Sequence, residues 1–244
     1  MKQRKYIFLT LVLCVFLSGC DAGKGEDETR TEIDPESIVS TINSIFCYTT
    51  SYDDFTDMAE AGSVIVYGEI MGLDHYMSGN GLCATKIDVK IMQPLKGEFK
   101  EGDTIQIVED QGIATVEEYI NSFTTEDLRE TMRNDYRQYR DDELDDIYVQ
   151  QLGFGDVMFD VGQKYVFILT ESNNYDTEHT YSRINGPMGS FSELSDDHFY
   201  WTQGVGSTLA EEYGENASNM SLEDGKIKGE TPRTLNGLMN EMGL

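Results

Sequence analysis

The chain has 244 residues, with 18 Lys and Arg against 45 Asp and Glu and a formal net charge of −27 at pH 7. That balance excludes nucleic acid as a partner, since such affinity comes largely from Lys and Arg neutralising phosphates. It also excludes lying flat on an anionic lipid surface, which needs a basic patch. An aromatic content of 11% excludes wholesale disorder, and the length suits one domain with a sizeable core or two small ones.

A basic head (Lys2, Arg4, Lys5) leads into an apolar run over residues 6–17, the order of a secretory leader. The run falls short of the roughly 20 residues that span a bilayer as a helix. It closes on Leu17-Ser18-Gly19-Cys20, which resembles the bacterial lipobox. The resemblance implies a diacylated Cys20 as the mature N-terminus, holding the polypeptide to lipid on the extracytoplasmic face of a bacterial membrane. Residues 1–19 are then a lipoprotein signal peptide. Residues 20–33, abruptly polar, are a flexible tether. Cys14 falls in the leader, so Cys47 and Cys83 remain. In an oxidising compartment they read as one disulfide, with two free thiols as the alternative.

Helices are predicted over 34–62. Asp34 can cap, Pro35 suits the first helical position, and Ile38, Ile42 and Ile45 make one apolar stripe. Phe55, Met58 and Ala59 suggest a second short helix, ended by Gly62. Strands follow at 63–70, 85–91, 104–108 and 164–169, with weaker ones at 181–184 and 189–191. Between the third and fourth, apolar residues take helical spacings at Val116, Tyr119 and Ile120, at Leu128, Met132 and Tyr136, and at Leu144, Ile147 and Tyr148. This marks a helical insertion at about 115–152, with Thr124 and Asp127 as a capping box opening its second run. A C-terminal helix carries Leu235, Leu238, Met239 and Met242 on one face, capped by Thr231-Pro232.

The succession Leu95-Lys96-Gly97, Gly102-Asp103 and Gly162-Gln163-Lys164-Tyr165-Val166-Phe167-Ile168-Leu169 resembles a broad group of exported bacterial proteins. Their small barrel is similar to the OB-like fold of netrin-type domains and tissue inhibitors of metalloproteinases. The resemblance implies an α+β fold: a small antiparallel OB-like β-barrel over 63–205, with an N-terminal helix, the helical insertion and, in the 206–244 segment, a C-terminal helix. It implies no function. The inhibitors use a free N-terminal cysteine amine against zinc, and acylation of Cys20 would block that use.

Chemical motifs are sparse. His75, His179 and His198 show no ligand spacing. Asp142, Asp145 and Asp146 offer hard oxygen ligands and make calcium the one cation to consider, as do Asp53, Asp54 and Asp57. Neither group matches an Asp-x-Asp-x-Asp-Gly loop, and a solvated face looks the same. No Gly-x-Ser-x-Gly elbow is present. His198, Phe199, Tyr200 and Trp201 form the best recognition segment, the alternative being closure of the core. The expectation is a membrane-anchored, non-catalytic binding module with no cofactor, acting on an envelope protein or glycan. The alternatives are an envelope hydrolase with a carboxylate pair and the solute-binding lipoprotein of a transporter.

Overall fold

The computed structural model describes residues 33–45, 47–48, 50–172, 180–213, 227 and 229–244. The leader, the lipobox with Cys20, the tether up to residue 32 and His179 lie outside the described residues. Contacts tie Asp34–Leu244 into one unit, so the segments on either side of the barrel are integral to it.

Five strands close the barrel: β2 (Val64–Gly79), β3 (Leu82–Lys96), β4 (Thr104–Glu109), β7 (Lys164–Glu171) and β8 (Thr180–Arg183). They pair in the order β7-β2-β3-β4-β8, and β8 returns to β7. The α+β barrel expected from the sequence is therefore present, but it is mixed rather than antiparallel. The β4–β8 pair is parallel, with Gln106 opposite Thr180 and Ile107 opposite Tyr181, while the other barrel pairings are antiparallel. One edge of β7 is shared. Its residues Leu169 to Glu171 meet β8, and Tyr165 to Phe167 meet β9 (Ser190–Ser195), which continues into β10 (His198–Trp201).

The apolar runs of β2 and β7 have a direct cause. Val64, Val66, Phe167 and Leu169 point into the barrel, where Ile87, Val89, Ile91, Ile105 and Ile107 meet them. The alternate residues Ile65, Val166 and Ile168 face outward, yet they too are buried, under α1 (Phe55–Ala61) and α5 (Leu235–Glu241) with Phe191 and Phe199. A strand covered on both faces reads as continuous hydrophobicity.

A second sheet of three strands, β1 (Ile38–Ser44), β6 (Tyr148–Gly153) and β5 (Gly112–Thr115), carries the insertion. Its helices are α2 (Val116–Asn121) and α3 (Glu126–Asp135), and Val116, Ile120, Tyr136, Leu144 and Val149 form their common core. The expected first helix is absent. Asp34 does cap and Pro35 does sit at the first position, but only of a single 3-10 turn, Pro35–Ser37, before the chain extends as β1 parallel to β6. Four of the five residues Ile38, Val39, Ser40, Thr41 and Ile42 are β-branched, and that stiffness at χ1 favours a strand over the accidental spacing of three isoleucines. The last predicted helical run likewise gives way to β6. The capping box forms at Thr115 and Glu118 on α2, whereas Thr125 heads α3 with no side-chain bond. Thr234, not Thr231, caps α5, accepting from Gly237 N at 3.1 Å. The sequence reading missed α4 (Thr202–Tyr213).

β2 and β3 form a hairpin closed by Asn80 and Gly81, both at positive φ (50° and 76°), the two-residue turn whose twist matches the strands. A Cβ at Gly81 would meet the Phe123 ring at 2.5 Å, whereas one at Gly102, also at positive φ, would meet nothing. Gly81→Ala should therefore cost about 1–3 kcal/mol from strain and overpacking together, and Gly102→Ala only the backbone share. Urea denaturation compares them, and equal losses would contradict this packing of the hairpin tip.

Candidate functional site

Inward positions of the barrel strands are apolar until one end, where they turn polar. Alternation places Thr85 after Ile87 on β3, Glu109 after Ile107 on β4 and Arg183 after Tyr181 on β8, all aimed inward and all buried. The Arg183 side chain is wholly enclosed. Its Nη2 lies 2.9 Å from Glu109 Oε2 and 2.6 Å from Asp156 Oδ2, and Nη1 lies 3.1 Å from Asp156 Oδ1. Nη1 also donates to Ser190 Oγ, whose hydroxyl donates to Thr202 Oγ1 at 2.9 Å. The Phe159 ring covers the guanidinium at 4.8 Å.

Two carboxylates therefore share one cation away from water. Burial pushes the Glu109 carboxyl above the usual range, against the pull of Arg183. Burial alone would lower Arg183, but Asp156 and then Glu109 outweigh it and raise it further.

A second polar chain runs beside this cluster. Thr85 Oγ1 donates to the Gln111 carbonyl, so it accepts from His75 Nδ1 at 2.6 Å, and Gln111 Nε2 donates to the Val157 carbonyl at 3.1 Å. Helix α4 comes close enough to the 155–156 backbone that a Cβ at Gly206 would sit 2.4 Å from the Gly155 carbonyl oxygen. The cluster fastens the strand ends and the 154–160 segment together. Its geometry is that of a plug: most of its donors and acceptors are turned on one another, while Arg183 Nε and Gln111 Oε1 are buried without a hydrogen-bond partner.

The expected recognition segment is divided by burial. Phe199 and Tyr200 are 1% and 0% exposed and belong to the two apolar cores. Trp201 is half-buried, stacked edge-on against Phe55, with its Nε1 donating to the Met188 carbonyl. The alternative of core closure holds for all three. His198 alone is exposed, 3.1 Å from Ser195 Oγ.

Cys47 and Cys83 are both free, the first exposed and the second buried, which corrects the expected disulfide. Cys83 sits in the apolar core of the insertion, 3.5 Å from Met77 Sδ, and burial pushes its thiol up to about 12. Among the described residues no group of three or more His, Cys, Asp and Glu side chains is gathered as a metal would require. Asp142 pairs with Arg140 at 2.9 Å, and Asp145 and Asp146 are exposed.

The surface offers a groove of about 700 Å3 between α2, α3 and the turn at Asp141–Glu143, floored by Ile120 and Leu144. Its arginines are largely committed. Arg129 binds Glu126 and the Phe123 carbonyl, and Arg133 binds Asp141 and the Tyr136 and Tyr139 carbonyls. They cap and brace the insertion.

The sequence reading missed Arg183, Glu109 and Asp156. The signal was present for two of them, because each continues an inward alternation by one step. No protein-family model matches the chain, and no curated protein matches it in sequence.

Two measurements check this arrangement. A thiol reagent should modify Cys47 in the native protein and reach Cys83 only on unfolding; a single bridge with no reactive thiol would contradict it. Glu109 binds its proton more tightly folded than unfolded. Its contribution is therefore fully present below the ordinary Glu pKa and is lost as pH rises through the raised value. The stability of the wild type relative to Glu109→Gln should thus increase as pH falls from about 7 to about 5, read by urea denaturation at each pH. A difference that shrinks over this interval would show that Glu109 is not held toward its neutral form.

Proposed function

We propose that the chain is a lipid-anchored, extracytoplasmic binding module of a bacterial envelope, attached through acylated Cys20 and working by contact rather than catalysis. The observation that carries this reading is the use the barrel makes of its own chemistry. Glu109 and Asp156, the enclosed carboxylates that a hydrolase reading would want, both grip Arg183 out of reach of solvent. A solute-binding lipoprotein would need two α/β lobes about a cleft, and Asp34–Leu244 form one unit. Contact capacity then falls to the outer layer, where the three-stranded sheet and α2–α3 stand on the β2–β3 hairpin. The apolar leader closing on Leu17-Ser18-Gly19-Cys20 supports the anchor. No helix among the described residues is long and apolar enough to cross a membrane.

The test has two parts. In a bacterial host, azido-palmitate should label the wild type and leave Cys20→Ser unlabelled; equal labelling removes the anchor. The wild-type chain should retain a partner from solubilised envelope or bind on a glycan array. If both come back empty, the binding reading loses its support.

A further inference from the structure

The three-stranded sheet ends on β1, and the side of β1 turned away from β6 pairs with no strand among the described residues. The register gives the direction of its backbone groups. Ser44 stands opposite Gly153, and its carbonyl accepts from Phe154 N at 2.9 Å, so Ser44 faces β6. Alternation then turns Ile42 toward β6 as well, and turns Thr41 and Asn43 away, each presenting an N–H and a C=O to the open side. Sheets blunt such edges with charge, proline or bulges. Ile38–Ser44 (IVSTINS) has no charge and no proline, and its one register shift lies between Ile38 and Ser40, away from the open groups.

The two ends of this edge differ. Beyond the C-terminal end, Ile45 is 82% and Phe154 68% exposed, the two most exposed large hydrophobic side chains among the described residues, and the Ser44–Phe154 hydrogen bond makes them neighbours. At the N-terminal end Asp34 and Glu36 are exposed. The whole chain carries −27.

We infer that β1 is a strand-addition site for an extended, net-basic segment of a partner protein. Its basic residues lie over Asp34 and Glu36, and an apolar or aromatic side chain lies over Ile45 and Phe154. Main-chain bonds to Thr41 and Asn43 supply the attachment, and the unlike ends fix the direction in which the segment lies. Charge decides between occupants. A second copy would bring another −27 to the same edge and be repelled, whereas a basic segment is drawn in. The inference rests on the binding-module reading and names the class of its partner.

The full chain is screened against phage-displayed random peptides of about ten residues, enough to run the length of a strand. Enriched peptides should be rich in β-branched residues, with Lys or Arg toward one end and an aromatic toward the other. By fluorescence anisotropy their Kd should rise with added salt. Binding should weaken about tenfold for Thr41→Pro, which removes one outward N–H and takes no bond from β6. Phe154→Ser, at an exposed side chain, is the second variant and should weaken it too. The inference is overturned if no such peptide is enriched, or if both variants bind as tightly as the wild type. It is also overturned by self-association that strengthens with salt and disappears in Thr41→Pro, which would make a second copy the occupant. An envelope partner held equally by wild type and Thr41→Pro leaves the binding-module reading standing and removes the edge. A wild type that retains nothing from the envelope removes that reading, while the peptide result still judges the edge.

Discussion

The guanidinium of Arg183 is the point at which the closed barrel is tied. Backbone pairing between β4 and β8 covers only two residue pairs, and beyond them side chains take over. Ser182 Oγ donates to the Val108 carbonyl, Arg183 N donates to Glu109 Oε1, and the guanidinium then grips Glu109 Oε2. Through Asp156 and Ser190 the same group fixes the segment after β6 and the start of β9. Removing Arg183 would leave two buried carboxyl groups with no cation between them, at a cost of about 3–5 kcal/mol. An apolar cluster of equal volume would hold strand ends without that liability, but without assigning each strand a single partner. Here one cation with a planar fork of donors bonds three separate segments at once, which fixes their positions relative to one another.

That knot sits where the closure of the barrel is thinnest. The short parallel contact needs a supplement, and the ionic plug supplies it where the apolar interior ends. The same end receives α4, whose Gly206 permits the helix to touch the 155–156 backbone that carries Asp156. With α1 and α5 covering the outer faces of β2 and β7, the apolar side chains of the central strands are enclosed on both sides. The chain's excess of carboxylates is left mainly to the surface, where each ion is solvated and individual pairs contribute little.

Legibility in the sequence followed burial. Strands β2, β3, β4 and β7 were evident because their side chains report either two buried faces or one. α1 and α5 were evident from three or four apolar residues on a single face. At β1 a period of four and three among Ile38, Ile42 and Ile45 imitates a helix, while its β-branched composition and its pairing with residues more than 100 positions away decide for a strand. The hairpin joining β2 to β3 has its local sign in Asn80-Gly81, a strong turn signal. Arg183 and Glu109 are masked by their charge, which ordinarily marks surface, although the alternation Ile105, Ile107, Glu109 is as regular as any apolar one. Asp156 carries no local signal at all, because its role is set by tertiary contact alone. The aromatic triplet Phe199-Tyr200-Trp201 shows the opposite error, since large aromatic residues serve cores and interfaces through the same burial.

The two sheets treat their edges differently, and the difference separates stability from contact. Closing the barrel removes the edges of β2, β3, β4 and β7, and β10 is covered by the bridge between Phe199 and Arg233. β5 lies against the hairpin, where Gly112 meets the Thr85 and Ala84 of β3. The insertion sheet then grows outward through β6 to β1, a strand added in parallel from the far N-terminal side of the fold. A parallel strand at an edge has only one ladder to satisfy its backbone, so alternate N–H and C=O groups must look to water or to another chain. In a protein this acidic, charge would have been the readiest way to close that edge, yet the residues from Ile38 to Ser44 carry none. The barrel thus pairs its buried charges with one another at its polar end, whereas the outer side of β1 carries no charge and pairs with no strand among the described residues.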